Sequence, residues 1–317
     1  MRKSPSPPVG RHPVPTKCAL LATALLAACT GEDVTPQPDE IALPGDAYYP
    51  ESLFADADGT LYVGSLVTGQ VVAFADGKTE GTVVVGASSG VTGVAGVTVR
   101  GDELWLCSID TTFQRPTEVR SFTLDGVART THSLGPNRFC NDLAFDAAGA
   151  LYVTDSFSGT VLRLAPGGAA PEPWREDAAL APAMQGGFGL DGLAPVAGAV
   201  FVNKVDTGGL YRIAIGAGGA AGPAQPITVT PALTGPDGMR ALDDRTLLVV
   251  EGNGRLTKVT VDGATATATP LATDLDQPTG VAVARGSAWV VEGQLGRLFA
   301  MPSQPPNLPF AIRRIDL

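Results

Sequence analysis

The sequence has little histidine, few aromatic residues and little positive charge. It holds 2 His in 317 residues, and beyond the N-terminal segment only His132 remains. A Ser-His-Asp triad or a two-His zinc site therefore has almost no material, and a lone His in a strand-rich segment reads as structural. Lys plus Arg number 22 against 32 Asp plus Glu. Four of the basic residues, Arg2, Lys3, Arg11 and Lys17, precede position 28, so the rest of the chain carries 18 basic against 32 acidic residues, a net of −14. Nucleic acid is excluded as a partner, because phosphate binding needs a basic face to release counterions. No apolar run reaches the roughly 20 residues of a membrane span, and no apolar pattern at helical spacing persists. The Gly-rich stretch 216–222 lacks the Lys and the strand-to-helix context of a phosphate loop, and reads as a turn. What is abundant is turn-forming residues, 39 Gly and 26 Pro. One large, loop-rich, acidic domain is expected, acting as a monomer.

The N-terminus has its own character. Residues 1–17 are basic and Pro-rich, and the apolar run CALLATALLAA at 18–28 follows. A charged start, a short apolar centre and a small-residue end describe a secretory signal. The run closes as Leu26-Ala27-Ala28-Cys29, which resembles the bacterial lipobox and implies lipid on Cys29, an anchor and not a span. Residues 29–45 then read as an acidic, Pro-containing tether. The implied location is the cell envelope of a bacterium, lipid-anchored on the periplasmic face. With no Asp after Cys29, resemblance to enterobacterial lipoproteins points to the outer membrane. An oxidising periplasm permits a Cys107–Cys140 disulfide; two buried thiols are equally open.

Self-comparison of the sequence reveals a repeat. ESLFADADGTLYVGS begins at Glu51, AGVTVRGDELWLCS at Ala95, NDLAFDAAGALYVTDS at Asn141, DGLAPVAGAVFVNK at Asp191, DGMRALDDRTLLVVEG at Asp237 and TGVAVARGSAWVVEG at Thr279, with starts 42 to 50 residues apart. Each copy is two period-two stretches around a turn, which means two antiparallel strands. Most continue with a Gly turn and a third strand, and a fourth must fill the period. Four strands in about 45 residues is the size of a β-propeller blade. The expected fold is therefore all-β, a six-bladed β-propeller over 46–317 with four-stranded antiparallel blades. Either the C-terminal PFAIRRI or the segment 40–43 can supply the strand that closes the ring.

In such a ring the first residue of each unit faces one mouth of the central channel. Those residues are Glu51, Ala95, Asn141, Asp191, Asp237 and Thr279. Asp and Asn are also ordinary turn residues before a strand, but their coincidence in register gathers three carboxylates in a narrow space. They would raise one another's pKa unless a cation neutralised them. Oxygen donors without His or Cys suit a hard cation such as Ca²⁺.

The units PESLFAD, RFCNDLAFD, LDGLAP and PDGMRALD resemble the senescence-marker-protein, gluconolactonase and regucalcin-like family of six-bladed propellers, and FCNDLAFDAAGALYV is also similar to a stretch of diisopropylfluorophosphatase. The resemblance covers the whole repeat region. It implies a divalent metal, Ca²⁺ first with Zn²⁺ and Mg²⁺ open, held by Glu51, Asn141, Asp191 and Asp237. It further implies hydrolysis of a lactone or phosphoester with Asp237 as general base or nucleophile. Where the family has Asn-Gly this chain has Asp191-Gly192; a shifted register would instead put Phe188 at that position and remove a ligand. Arg138 and Lys204 lie near the same mouth by register and are candidates for substrate binding, or else solvated rim charges. The connection 172–190 enters there too, as a lid or a plain surface loop. The competing reading is non-catalytic. QPTGVAVARGSAWVVEGQLGRL at 277–298 resembles NHL-repeat proteins, so the chain would display a binding face to a protein or glycan.

Overall fold

The computed structural model describes residues 36–317 together with Met1. The expected signal peptide, lipidation at Cys29 and the first part of the tether lie outside the described residues.

Strands account for nearly all the regular structure. A short strand β1 (Glu40–Ala42) comes first, followed by five consecutive sets of four. The first set is β2 (Pro50–Ala55), β3 (Leu61–Ser65), β4 (Val71–Phe74) and β5 (Thr82–Val85). The second is β6 (Gly93–Arg100), β7 (Glu103–Ile109), β8 (Glu118–Thr123) and β9 (Ala128–Ser133). The third is β10 (Cys140–Phe145), β11 (Leu151–Asp155), β12 (Thr160–Leu164) and β13 (Glu172–Glu176). The fourth is β14 (Leu190–Val196), β15 (Ala199–Lys204), β16 (Gly209–Ile215) and β17 (Ala221–Thr230). The fifth is β18 (Pro236–Ala241), β19 (Thr246–Glu251), β20 (Arg255–Asp262) and β21 (Thr265–Ala272). The chain ends with β22 (Pro278–Ala284), β23 (Ser287–Glu292) and β24 (Ala311–Asp316). The α-helix among the described residues is a single turn, α1 (Leu295–Leu298).

Within each set the strands pair antiparallel in chain order, and the fourth and fifth sets join at their outer edges through a parallel β17–β21 pair. The first strands pack against one another in a closed circuit: β2, β6, β10, β14, β18, β22 and back to β2. Burial follows from this arrangement. First and second strands lie between neighbouring sheets and are buried on both faces for most of their length, as in β3, whose five residues are all buried. Outer strands face water on one side and alternate, as the Thr-Ala-Thr-Ala-Thr run of β21 does.

The last set is completed from both ends of the domain. β24 pairs with β23, and β1 adds to β24 in the register Glu40↔Arg313, Ile41↔Ile312, Ala42↔Ala311. The two segments that competed in the sequence for the closing role thus both take part, with the N-terminal one outermost. Ile41 is buried with Phe310, Trp289 and Ile312. The second and third sets are stapled by a disulfide between Cys107 of β7 and Cys140 of β10, with Cα atoms 5.3 Å apart and a sequence separation of 33. His132 sits on β9 with its ring stacked over Trp105, centroids 6.5 Å apart, a structural placement.

Two outcomes test this closure. Ile41→Asp removes a buried side chain and leaves a charge in its place, so it should destabilise the protein by about 3 kcal/mol or more in denaturant titration; a near-silent variant would mean that β1 does not dock. Cys107→Ala opens a loop for which a bridge contributes roughly 3 to 4 kcal/mol, and an unchanged melting temperature would show that the bridge does not form in solution.

Candidate functional site

Every first strand carries the same irregularity. The pairing with the second strand slips between Pro50 and Ser52 in β2, Val94 and Val97 in β6, and Cys140 and Leu143 in β10. It slips again between Leu190 and Leu193 in β14, Pro236 and Met239 in β18, and Pro278 and Gly280 in β22. A bulge of this kind re-aims the residues inside it, and those residues are the six register positions Glu51, Ala95, Asn141, Asp191, Asp237 and Thr279. The next residue is frequently Gly because the neighbouring strand approaches too closely for a side chain. A Cβ on Gly192 would stand 2.5 Å from the Asp237 carbonyl oxygen, and one on Gly238 would stand 2.5 Å from that of Thr279.

Bulges also strip ladder hydrogen bonds, and second-strand side chains replace them. Thr154 donates to the Asp191 carbonyl at 2.6 Å, and Ser156 donates to that of Leu190 at 2.5 Å. Asn203 accepts from the Gly192 N–H at 3.1 Å while donating to the Asp237 carbonyl at 2.7 Å. At the ends of the second strands, acidic side chains hold the incoming loops. Asp155 accepts from the Phe139 N–H, Glu251 from that of Thr234 and Glu292 from that of Asp276. These acids are structural, and the cavity-facing ones are those of the first strands.

Glu51, Asn141, Asp191 and Asp237 come together. They line both a void of about 10 Å³ within the circuit of first strands and a larger cavity of about 270 Å³ outside it, so they form the partition between the two. Asn141 donates its Nδ2 to Asp191 Oδ2 at 3.2 Å and to Ser156 Oγ at 3.1 Å. The carboxyls of Asp237 and Asp191 are close enough to share a hydrogen bond. Below them Arg240 forks onto Asp142, 2.8 Å to Oδ2 and 3.3 Å to Oδ1, and Asp142 also accepts from the Leu193 N–H at 3.2 Å. Arg240 further reaches the Leu53 carbonyl. One ion pair thereby ties β2, β10, β14 and β18 together.

The electrostatics follow from this crowding. Burial, followed by the charges of Asp237, Asp191 and Asp142, pushes Glu51 well above the ordinary carboxylate range, with Arg240 opposing. Burial raises Asp191 to about 7, while hydrogen bonds from Asp237 and Asn141 pull it down. Asp237 is raised well above its usual value by burial and then by the neighbouring Asp191. Among the described residues no group of three or more His, Cys, Asp or Glu is drawn in to metal-ligand spacing. The donor set nonetheless fits a hard cation in two respects. The donors are all oxygen, and they border a void near the 10 to 15 Å³ that one water-sized sphere needs.

Arg138 and Lys204 do not line this cavity. Arg138 pairs with buried Asp155 at 2.9 Å. Lys204 donates to the Ala181 carbonyl at 2.6 Å and, with Asp206, pins the loop that follows β13. The start of the 172–190 connection, Glu172–Glu176, is β13 itself, and the remainder delivers Phe188 to the cavity wall, while Asp191 takes its place in the partition. Sequence reasoning missed the Asp142–Arg240 pair, although Asp142 standing where four of the other five repeats have Gly was a usable signal. It also missed the cavity's aromatic wall, Phe113, Phe139, Phe188 and Phe299, for which the repeat carries no signal.

No protein-family model matches the chain, and no curated protein matches its sequence. Solved structures do match. The major allergen Mala s 1 of Malassezia sympodialis superposes with a TM-score of 0.68 at 12% identity, over 89% of this chain and 97% of that one. A calcium-binding protein, regucalcin, from Agrobacterium tumefaciens gives 0.62 at 15% identity, over 88% and 94%. A gluconolactonase from Xanthomonas campestris gives 0.60 at 17%, over 87% and 89%. The neighbours are β-propellers, and likeness at such identity shows the fold alone: this chain is nearly all-β, built mostly of four-stranded sheets, and of propeller type.

Raised carboxyl pKa values make the metal-free protein sensitive to pH. A group whose folded pKa exceeds its unfolded one favours the folded state below the unfolded value near 4, and this contribution is lost as pH climbs through the folded value. In chelator, the melting temperature should therefore fall between pH 5 and 8, and Asp191→Asn should flatten that fall. A wild-type profile that stays level or rises, or a variant with the same slope, would place Asp191 in water.

Proposed function

We propose that the chain is a six-bladed propeller whose partition of Glu51, Asn141, Asp191 and Asp237 holds a divalent cation, Ca²⁺ first, and that it is a hydrolase of the lactone or phosphoester type. The observation that carries this reading is the convergence of four oxygen-bearing side chains from four repeats on one wall between a water-sized void and an open cavity. Folding leaves those carboxyls short of water, and a cation is one of two ways to compensate; protonation is the other. The six sets of strands with a closed circuit of first strands support the blade number. The regucalcin neighbour is called calcium-binding, and the gluconolactonase neighbour is named for a lactone substrate.

When bound, a divalent cation supplies Lewis-acid polarisation of a carbonyl or phosphoryl oxygen. The protein does the rest. Asp237 faces the cavity, and as a carboxylate it accepts a proton from attacking water, or attacks directly. Asn141 and Glu51 orient beside it, and the Asp142–Arg240 pair ties together the strands that carry all four. The anchored, periplasmic location belongs to the same proposal and rests on residues 1–29 of the sequence.

A second reading is a non-catalytic binding module for a protein or glycan. It draws on the Asp191–Asp237 hydrogen bond, which gives the two carboxyls a partner in each other without a cation.

Elemental analysis of the purified protein should find about one divalent metal per chain, lost in Glu51→Gln and in Asp237→Asn. Calcium at a hundredfold excess over its dissociation constant should stabilise the wild type by about 3 kcal/mol, reversed by chelator. No retained metal and no calcium-dependent shift would remove the metal reading and leave the binding module.

A further inference from the structure

Resting on the hydrolase reading above, we infer that the substrate is a neutral lactone or ester with an apolar body, about one ring or a short alkyl chain in size, and not a polyhydroxylated or anionic one. The cavity outside the partition is acidic at its base and apolar everywhere else. Phe113, Phe139, Phe188 and Phe299 form its walls with aliphatic side chains, and Thr111 is the one polar side chain lining it apart from the four at the base.

Three of these phenylalanines, with Phe157 behind them, form a continuous surface. Phe139 lies 5.0 Å from Phe188 and 5.3 Å from Phe157, ring centre to ring centre, and Phe113 stands 6.2 Å from Phe139. They arrive from separate connections, after β7, before β10, before β14 and after α1. Phe113, Phe188 and Phe299 remain 53%, 40% and 60% exposed at the rim. A chain with only 11 Phe thus spends three of them on solvent-exposed positions around one opening. Contiguous exposed apolar surface of this kind marks a binding site.

The chemistry of the wall excludes two substrate classes. A sugar lactone bears a hydroxyl on most carbons, and against phenylalanine and leucine each would lose its water partners, weakening binding by about tenfold or more per group. An anion fares worse. No Lys or Arg lines the cavity, and the nearby cations Arg138, Lys204 and Arg240 are engaged with Asp155, the Ala181 carbonyl and Asp142. Size agrees with a small apolar body: a dry cavity of about 150 Å³ holds one benzene, and this one measures about 270 Å³.

The reaction uses water as its co-reactant. A water oxygen bonds to the carbonyl carbon while Asp237 takes the proton. The acyl C–O bond breaks with its electron pair going to the leaving oxygen, and Asp237 returns the proton there. One lactone and one water give one hydroxy acid.

The test uses the calcium-loaded full chain with γ-lactones of rising alkyl length, γ-valerolactone to γ-nonanolactone, beside glucono-δ-lactone. A second readout, calorimetric affinity for 2-pentyltetrahydrofuran, the uncleavable ring ether, is independent of turnover. Each added methylene should raise kcat/KM and affinity about threefold, with gluconolactone at least a hundredfold below γ-nonanolactone. Phe188→Ser and Phe113→Ser, at solvent-exposed positions, should flatten the dependence on chain length. A flat series, or gluconolactone as the better substrate, overturns the inference while the hydrolase reading stands. Ether binding that weakens in Phe188→Ser without turnover of any lactone supports the apolar pocket and overturns the hydrolase reading. No turnover and no ether binding overturns the pocket as well.

Discussion

The first strands of neighbouring repeats come so close that backbone touches backbone, and the site follows from that contact. A strand in a regular ladder would point alternate side chains into its own sheet interfaces. The bulge at the head of each first strand breaks this alternation and turns one residue toward the centre. Glycine behind that residue lets the next strand's carbonyl sit where a Cβ would be. Side chains on the second strand or directly after it, Thr154, Ser156 and Asn203 among them, take over the hydrogen bonds that the bulge removes. The Asp-Gly, Asn-Asp and Thr-Gly pairs are therefore packing devices first. Their chemistry is what the packing leaves facing inward.

What faces inward is charge with little water. Glu51, Asp191 and Asp237 share one partition, and each would ionise at the expense of the others. The nearest fixed cation, Arg240, is committed to Asp142 through two hydrogen bonds. That pair is neutral as a unit, so it holds four first strands in place without discharging the partition above it. The three carboxyls are left with a proton or an added cation. On the proposed reading the two states present different surfaces to the cavity: a hydrogen-bonded acid pair, or ionised oxygens around a metal.

The repeat was legible in the sequence because its physics is local. Alternation, turn glycines and the residue at the head of each unit all recur within a few positions of one another, so strand content, the four-strand set and the convergence of the register positions could be read directly. Long-range partners were not legible. Cys107 and Cys140 lie in different repeats, and their reach depends on how adjacent sheets twist. The closing strand was ambiguous because both ends of the domain are apolar and short, and the fold uses both. Arg138 and Lys204 were placed near the mouth by register, but register fixes the Cα and not the head group. Buried Asp155 and an unpaired loop carbonyl at Ala181 drew the charged ends away from the cavity. The phenylalanine wall had no periodicity at all, since its members come from connections whose lengths differ between repeats.

The two halves of the cavity reinforce each other. Apolar walls keep water from the partition, which lowers the local dielectric and strengthens every interaction of the carboxyls, with one another and with any cation. The same walls reject ligands that must keep their own hydration, and the negative base rejects anions. A neutral carbonyl compound with an apolar body passes both filters: it gives up no hydrogen bond on the walls and offers the base an oxygen that carries only partial negative charge. Were the rim phenylalanines replaced by polar residues, water would enter, the carboxyl pKa values would fall toward ordinary ones, and the partition would lose its need for a cation. On the proposed reading, selectivity for the ligand and affinity for the metal are one property, set by residues that the repeat does not encode.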